Sequence, residues 1–317
     1  MPNPPPDISP PPSYTTLPLT TLKLSHHPLS SPTATPIVIV SLSRPGAHNA
    51  FTNTMMLELE QVYSYFDVDD RVRCIVLTGE GRIFCAGADL TPEHGFKGGL
   101  ERVNDHRDGG GRIALAIHNC RKPTIGALQG SAVGIGITMT LPMSIRIAYS
   151  AAKIGFVFAR RGLVMEACSS FFLPRLISFS RAMHLITTGA TYRADDKLLE
   201  NLFSETLDSP DKVLPRALEI AEEVAKNTST VSTYLMKEMM YRDTGSPEGQ
   251  HLLDSKILYD LFQSPDNKEG VRAFLEKRDP KFSDTVETFA PDAYPWWEPV
   301  DVLRRAKPKG YAWKPKL

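Results

Sequence analysis

Two stretches of small residues could hold an anionic oxygen of a ligand against the backbone. The segment Gly81–Thr91 contains the run Cys-Ala-Gly-Ala-Asp, which ends at Asp89 and follows a predicted strand. Small side chains let a ligand approach closely, although composition alone favours an ordinary turn capped by Asp89. The segment Gln129–Thr138 carries three glycines that lead into an apolar, predicted helix. A helix N-terminus presents unpaired N–H groups and a positive dipole end, which suit an oxyanion.

Glu166 is the third candidate, a carboxylate in the otherwise apolar run LVMEACSSFFLP. Apolar neighbours disfavour the ionised form of such a group and raise its pKa toward a range useful for proton transfer. Glu166 is therefore a candidate acid and base. The alternative is a structural role in the first turn of a helix that begins near Ala167, where negative charge favours the helix dipole.

The composition excludes several classes of function. Lys plus Arg and Asp plus Glu number 36 each, so no overall basic field would attract nucleic acid or an anionic membrane. The four cysteines show no metal-ligand spacing and indicate reduced thiols in an intracellular protein, without a metal site. No apolar run approaches the roughly 20 residues that span a bilayer, and the first residues do not form a secretory signal. The glycines of Gln129–Thr138 lack the spacing of a dinucleotide-binding motif.

Alternating strands and helices are predicted to carry these segments. The early chain alternates strand, helix and strand, which favours parallel strands in a βαβ arrangement. Later strands are separated by one helix each, so a spiral of short ββα turns fits as well as a flat sheet. The predicted strands lie near Thr20–Ser25, Thr35–Ser43, residues 72–81, Thr124–Leu128 and Ile145–Ala148, and the predicted helices near residues 48–69, Ile113–Arg121 and Gly134–Pro142.

The chain divides into four predicted regions. Residues 1–14 are a Pro-rich, disordered leader, residues 15–200 the core with the ligand site, and residues 201–282 a C-terminal helical region. Helices are predicted near Ser180–Gly189, Pro215–Lys226, residues 246–264 and residues 266–279, the last with Asp266 as N-cap and Glu269 as its capping-box partner. Residues 283–317 lack periodicity and form an extended tail, in which Trp296 and Trp297 suggest packing on the rest of the protein.

Taken in chain order, these segments closely resemble the enoyl-CoA hydratase/isomerase, or crotonase, superfamily. The stretch Phe84–Asp89 is followed some forty residues later by Gln129–Gly136, and residues 42–51, 158–176, 180–196 and 266–282 also agree with the family. The resemblance covers about residues 15–282. It implies an α/β fold, a crotonase-like spiral of ββα turns with a C-terminal helical trimerisation region. It also implies an acyl-CoA substrate, with coenzyme A as part of the substrate and no separate cofactor.

The resemblance implies that two backbone N–H groups hold the thioester oxygen. In the family the first follows the glycine of the A-G-A-D stretch, which is Ala88 here, and the second lies in the glycine-rich turn, which is Ile135 here. Both stabilise the enolate that forms after a proton leaves Cα, and removing one such donor costs about 3–4 kcal/mol of transition-state stabilisation. The further residues implied to bind coenzyme A or substrate are Arg44, Ala47, Ala86, Gly87, Asp89, Leu90, Gly134, Phe274 and Lys277. For Arg44 and Lys277 the alternative is a solvated charge.

The proton-transfer residues of the family's hydratases are absent from the matching positions. Thr138 stands where the first hydratase carboxylate is expected, and Phe158 lies in the stretch that would carry the second. Glu166 instead matches the single acid and base of Δ3,Δ2-enoyl-CoA isomerases of the peroxisomal type. The resemblance therefore implies an enzyme that isomerises, and in part hydrates, enoyl-CoA. The alternatives are a specialised hydratase or dehydratase of secondary metabolism, and an acyl-CoA-binding homologue without catalysis.

The last three residues resemble a peroxisomal address. Pro315-Lys316-Leu317 differs from the Ser-Lys-Leu signal by one residue and follows a basic stretch. Together with acyl-CoA chemistry this predicts a peroxisomal protein that binds the import receptor. The resemblance of the C-terminal helices further implies a homotrimer or a dimer of trimers.

Overall fold

Six strands form the main sheet of the part of the chain that this computed structural model describes, residues 8–91, 93, 95 and 105–302. They lie in the spatial order β1-β2-β3-β4-β6-β9, with β1 antiparallel to β2 and the other neighbours parallel. Their bounds are β1 Leu22–His27, β2 Ile37–Leu42, β3 Cys74–Gly79, β4 Thr124–Leu128, β6 Ile145–Tyr149 and β9 Glu205–Leu207. A second sheet joins β5 (Ala132–Val133), β7 (Lys153–Gly155) and β8 (Thr191–Arg193). The predicted parallel strands are confirmed.

The central strands read as continuous apolar runs because both faces of the main sheet are buried. On β2, Val38 and Val40 face the larger hydrophobic core, whereas Ile37 and Ile39 face a second core. The helix α6 (Val213–Asn227) covers this second face through three buried side chains, those of Val213, Ala217 and Ala221. Strand β9 and helix α6 thus tie the region after residue 200 to the main sheet.

The helices that surround the first core match the predicted positions with shifted ends. The first, α1, spans Asn53–Val68, and the Thr52 side chain caps it by accepting from the Met55 N–H. The second, α2, begins at Gly109, four residues before the predicted start, because Asp108 caps a run of three glycines. The helices after them are α3 Ile135–Thr138, α4 Ser169–Ile177 and α5 Phe179–Thr188.

Helix α3 is much shorter than the predicted helix over Gly134–Pro142. The chain continues in turns after Thr138, and the carbonyl groups of Thr140, Leu141 and Met143 accept hydrogen bonds from the buried Arg146 guanidinium. Because Arg146 satisfies these carbonyls, the segment does not need to remain helical.

The C-terminal helices include one that the sequence pattern did not predict. Helix α7 spans Thr230–Tyr241, and the inward position after Tyr234 and Leu235 is Glu238, a buried carboxylate that interrupts the apolar pattern. Helix α8 spans Pro247–Leu261 and α9 spans Pro265–Glu276. The predicted N-cap of α9 was wrong. Ser264 caps the helix, while the Asp266 carboxylate accepts from the N–H groups of Ser283 and Asp284.

Residues 283–302 pack against α7 and α8 without forming a helix or strand themselves. The Trp296 indole donates to the Arg242 carbonyl oxygen at 2.9 Å, and the Arg242 guanidinium lies 4.2 Å from the Trp297 ring centroid. The expectation that the two tryptophans pack on the protein is confirmed. At the other end, Tyr14 is fully buried and its hydroxyl donates to Asp69. In the described ranges, no helix has the length and apolar character needed to cross a membrane.

Candidate functional site

The two predicted oxyanion donors lie where two glycine turns meet. A parallel bridge between Cys85 and Ala132 joins the two segments that carry the donors, and a second bridge, between Phe51 and Ala88, joins the first of these segments to the residues before α1. A Cβ built on Gly134 would lie 3.8 Å from the Cα of Gly87. Gly87 has φ +104° and Gly134 has φ +57°, a region that glycine adopts without strain. The glycines therefore permit the close approach of the Ala88 and Ile135 segments.

The N–H groups of Ala88 and Ile135 are available to a ligand. The backbone of Phe51 pairs with the two neighbours of Ala88: the Phe51 N–H donates to the Gly87 carbonyl oxygen, and the Phe51 carbonyl oxygen accepts from the Asp89 N–H. In such a parallel pairing the N–H of the residue between them, Ala88, points away from Phe51. Ile135 is the first residue of α3, where an N–H has no partner within the helix. Among the described residues, neither N–H donates to a protein acceptor. This pair of donors could bind an anionic oxygen, as the resemblance implied.

The Glu166 carboxylate contacts α3, the short helix whose first N–H belongs to Ile135. Its Oε1 accepts from the Thr138 hydroxyl at 2.5 Å, and Thr138 lies three residues after Ile135 on α3. Helix α4 begins at Ser169, and the Glu166 side chain does not cap it. The alternative of a helix-capping role is therefore not supported by the geometry.

Burial raises the pKa of the Glu166 carboxyl to about 7. The hydrogen bond from Thr138 lowers this pKa, whereas the negative charge of Asp108 raises it further. A carboxyl with a pKa near neutrality is present both as base and as acid, which suits it to take up and return a proton. The sequence argument from apolar neighbours thus identified the physical cause.

Asp108 and Gly110 belong to the site and were missed by the sequence reasoning. Asp108 accepts from the N–H of Gly111 at 2.5 Å and from the N–H of Ala167 at 3.3 Å, so it links α2 to the backbone beside Glu166. Gly110 leaves room for the carboxylate, because a Cβ there would lie 1.4 Å from Glu166 Oε2. In the run Asp-Gly-Gly-Gly, a helix-capping residue is followed by residues that allow another group to approach closely. This pattern could have identified the segment from the sequence.

Some of the residues implied to bind coenzyme A form an exposed rim beside the A-G-A-D stretch. The Ala86 N–H donates to the His48 carbonyl oxygen, which ties the segment after β2 to the A-G-A-D stretch. Along this rim, Ala47, Ala86 and Leu90 are exposed. Asn49, also missed, is fully buried and donates to the carbonyl oxygens of Glu80 and Ile83. Its side chain holds the rim in place.

Arg44 is paired within the protein. Its guanidinium donates to Asp89 at 3.0 Å and to the Ala50 carbonyl oxygen, and both partner side chains of the ion pair are largely buried. The Asp89 carboxylate also accepts from Thr91. In this geometry Arg44 connects the residues after β2 to the A-G-A-D stretch. A phosphate of the ligand would have to share the Arg44 guanidinium with Asp89.

Phe274 and Lys277 lie apart from the other predicted residues. Both are exposed, Phe274 on α9 and Lys277 directly after it. Within the described chain, no hydrogen bond or ion pair connects them to the rim or to Glu166. The segment Pro315-Lys316-Leu317 lies outside the described residues. No three His, Cys, Asp or Glu side chains of the described ranges gather as metal ligands would.

The two positions of the hydratase carboxylates hold no acid in the structure either. Thr138 is fully buried beside Glu166, and Phe158 begins a short 3-10 turn over Ala159–Arg161. The site therefore combines two backbone donors with the Glu166 carboxyl. Such an arrangement can bind an oxyanion and move one proton between neighbouring atoms.

The amino-acid sequence is similar to those of known enoyl-CoA hydratases. A family profile described as enoyl-CoA hydratase/isomerase matches residues 33–285. The enoyl-CoA hydratase ACTT3 of Alternaria alternata is 54% identical over 259 residues, which cover 81% of this chain and 86% of that protein. The enoyl-CoA hydratase AFT3-1 of the same organism is 52% identical over 291 residues, which cover 91% and 95%.

Solved structures agree with these sequence matches. A probable enoyl-CoA hydratase/isomerase from Mycobacterium abscessus has a TM-score of 0.74 and 28% identity, covering 83% of this chain and all of that chain. DspI from Pseudomonas aeruginosa has a TM-score of 0.75 and 28% identity, covering 86% and 100%. The α/β fold that the resemblance implied is confirmed, whereas the trimerisation region remains a prediction.

Proposed function

Because the chain belongs to the enoyl-CoA hydratase/isomerase family, we propose that it isomerises enoyl-CoA thioesters with Glu166 as its proton shuttle. Membership makes it an enzyme of acyl-CoA chemistry. The finer proposal depends on one observation: Glu166 is the carboxyl that contacts α3 beside the oxyanion donors, and its partner there is the hydroxyl of Thr138.

The proposed reaction moves one proton along the acyl chain. The ionised Glu166 takes a proton from Cα of a 3-enoyl thioester, and the electron pair delocalises onto the thioester oxygen. The N–H groups of Ala88 and Ile135 stabilise the resulting dienolate. The protonated Glu166 then returns the proton to Cγ, so the double bond moves to the 2,3 position and the enzyme regains its starting state.

The pKa of about 7 supports a residue that alternates between base and acid. Near neutral pH about half of the molecules carry the ionised form, and the protonated form is a competent acid for the return step. A carboxyl with an ordinary pKa would hold the proton too weakly to deliver it efficiently to carbon. Burial of Glu166 therefore favours proton shuttling over a purely structural role.

Hydration or dehydration of enoyl-CoA, by a specialised enzyme of secondary metabolism, is the second candidate. The names of the relatives favour the hydration reaction. Two Alternaria alternata relatives above 50% identity are named enoyl-CoA hydratases. In that reaction Glu166 would activate a water molecule that attacks Cβ and would supply a proton to Cα. The same oxyanion donors would serve both reactions, so the fold does not separate them.

A spectrophotometric assay with 3-enoyl-CoA and 2-enoyl-CoA of several chain lengths tests the proposal. We expect faster turnover of 3-enoyl-CoA and at least a 100-fold lower kcat in Glu166→Gln, with little change in a matched Glu222→Gln control, whose side chain is exposed and pairs with His27. Wild-type turnover in Glu166→Gln would refute the assignment. Faster turnover of 2-enoyl-CoA with water addition would favour the second candidate, and tight acyl-CoA binding without turnover would indicate a non-catalytic homologue.

We further propose a homotrimer or a dimer of trimers in the peroxisome. Large exposed apolar side chains on α8 and α9 support association through these helices, among them Leu252, Leu258, Tyr259, Val271, Phe274 and Leu275. The mass of the purified protein from light scattering tests the assembly. Deletion of Pro315-Lys316-Leu317 from a protein with a fluorescent N-terminal fusion should abolish peroxisomal import, and unchanged import would refute the address.

A further inference from the structure

We propose that Thr138 is a positioning residue that serves both protonation states of Glu166, donating to the carboxylate and accepting from the carboxylic acid. This inference deepens the proposed function and rests on Glu166 as the proton shuttle. It gives a task to the side chain that stands where the family's hydratases are expected to carry an acid. The task does not need Thr138 to touch the substrate.

The geometry gives the Thr138 hydroxyl two acceptors for its one proton. Its Oγ lies 2.5 Å from Glu166 Oε1 and 3.2 Å from the Gly134 carbonyl oxygen. A hydroxyl has a single O–H donor and two lone pairs. It therefore donates to one of these oxygens at a time, and rotation about its C–O bond selects which.

Each protonation state of Glu166 has a matching hydroxyl orientation. When Glu166 is ionised, the Thr138 O–H points at the carboxylate and forms a charge-assisted hydrogen bond. When Glu166 is protonated on Oε1, its O–H donates to the Thr138 oxygen, and the Thr138 O–H turns to the Gly134 carbonyl. That carbonyl also accepts from the N–H groups of Ile137 and Thr138, so it keeps partners in both states.

This exchange matters because Thr138 is fully buried. A buried polar group without a partner costs free energy, and a partner that could only donate would favour the ionised state alone. A second carboxylate in place of Thr138 would raise the pKa of Glu166 by charge repulsion. The hydroxyl keeps the Glu166 side chain in one orientation while the Glu166 carboxyl gains and loses a proton.

The surroundings of Glu166 and the Thr138 hydroxyl have opposite effects on its protonation. Asp108 at the start of α2 adds a negative charge, and the thiols of Cys85 and Cys168 lie close enough to interact electrostatically with Glu166. Burial and Asp108 favour the protonated carboxyl, whereas the Thr138 hydrogen bond favours the ionised one. Removing the hydroxyl should therefore leave less base at neutral pH.

Titration of Glu166 in the free enzyme tests the inference. The Glu166 carboxyl resonance is followed by 13C NMR in protein labelled at glutamate, and Glu166→Gln assigns it. In Thr138→Val we expect the titration to move up by about one pH unit, because a charge-assisted bond is lost. Thr138→Ser should restore the wild-type titration. Thr138→Ala replaces the valine variant if that variant does not fold.

Thr140→Val is the matched control. Thr140 is equally buried near α3, and its hydroxyl donates to the Ile137 carbonyl oxygen without reaching Glu166. Thr140→Val should titrate like the wild type. Thr138→Val should lose about fivefold in kcat/KM at pH 7 and have its optimum at a higher pH, because a rise of about one pH unit lowers the ionised fraction of Glu166 from about one half to about one tenth. An unchanged titration in Thr138→Val, or equal behaviour of the serine and valine variants, would overturn the inference. Because the NMR titration needs no turnover, failure of the proposed reaction is seen separately, in the wild-type assay.

Discussion

Glu166 Oε2 occupies the place that a side chain on Gly110 would need, since a Cβ there would lie 1.4 Å from this oxygen. The same Cβ would lie 2.7 Å from the Ile135 Cδ1 atom. The N-terminal turn of α2, the first residue of α3 and the carboxylate thus meet at one point. A glycine at position 110 is a condition for Glu166 to reach the site.

Gly110→Ala should therefore abolish activity with little loss of fold. The glycine has no positive φ, so alanine can adopt its backbone, and alanine is favoured over glycine in helices. The new methyl group must displace the carboxylate from its place beside Thr138. We expect kcat/KM for enoyl-CoA to fall at least 100-fold, while the unfolding midpoint changes by only a few degrees.

Gly109→Ala is the control for this substitution. A Cβ at Gly109 would meet the Met56 sulfur at 2.9 Å, and a methionine side chain can move aside. This variant should keep most of the wild-type activity. If Gly110→Ala were as active as Gly109→Ala, Glu166 would not act from the position described here.

The raised pKa of Glu166 should make the free energy of unfolding depend on pH. Because the folded pKa of about 7 lies above the usual value of 4.5, ionisation costs more in the folded state than in the unfolded one. The free energy of unfolding therefore falls as pH rises from 4.5 to 7 and is constant above. Glu166→Gln removes this loss, so it should be more stable than the wild type by about 2–3 kcal/mol at pH 8.

Urea unfolding at pH 5 and pH 8 measures this difference. The gain of Glu166→Gln over the wild type should be small at pH 5 and should grow toward pH 8, whereas Glu222→Gln should show no such growth. Only the change with pH is diagnostic, because the amide also alters the hydrogen bond with Thr138. An equal gain at both pH values would mean that Glu166 has an ordinary pKa in the folded protein.

The parts of the fold that the sequence predicted are those with a regular, local pattern. Thr124–Leu128 was predicted with the bounds of β4, because a strand buried on both faces is a continuous apolar run. Helix α7 was missed because its inward side carries Glu238. The helix predicted over Gly134–Pro142 was longer than α3. Arg146, in the following strand β6, donates to the carbonyl groups that a continued helix would otherwise have paired.

The site was predicted in the same uneven way. The apolar neighbours of Glu166 are a local feature, so this carboxylate could be chosen from the sequence, whereas Ala88 and Ile135 were assigned through the family resemblance of the two glycine-containing segments. The approach of Gly110 to Glu166 joins positions far apart in the chain, and no pattern along a single element predicts it. The pairing of Arg44 with Asp89 is of the same kind.

His118 provides a last prediction, independent of the catalytic proposal. Its ring packs edge-on against Phe172 and Tyr241, with centroid distances of 5.5 and 5.1 Å, and its Nδ1 has no hydrogen-bond partner in the described ranges. Burial, together with the positive charge of Lys237, lowers the pKa of His118 to about 4. A folded pKa below the usual value of 6.5 gives stability that is present above pH 6.5 and is lost as pH falls toward 4.

His118→Phe should remove this acid sensitivity, since phenylalanine fills a similar volume between the same two rings and does not titrate. The free energy of unfolding of the variant minus that of the wild type should be about 2 kcal/mol larger at pH 5 than at pH 7.5. Urea unfolding at the two pH values measures it, with His251→Phe, an exposed position on α8, as the control. A parallel loss of stability in wild type and His118→Phe between pH 7.5 and pH 5 would show that His118 becomes protonated in the folded protein as readily as in the unfolded chain.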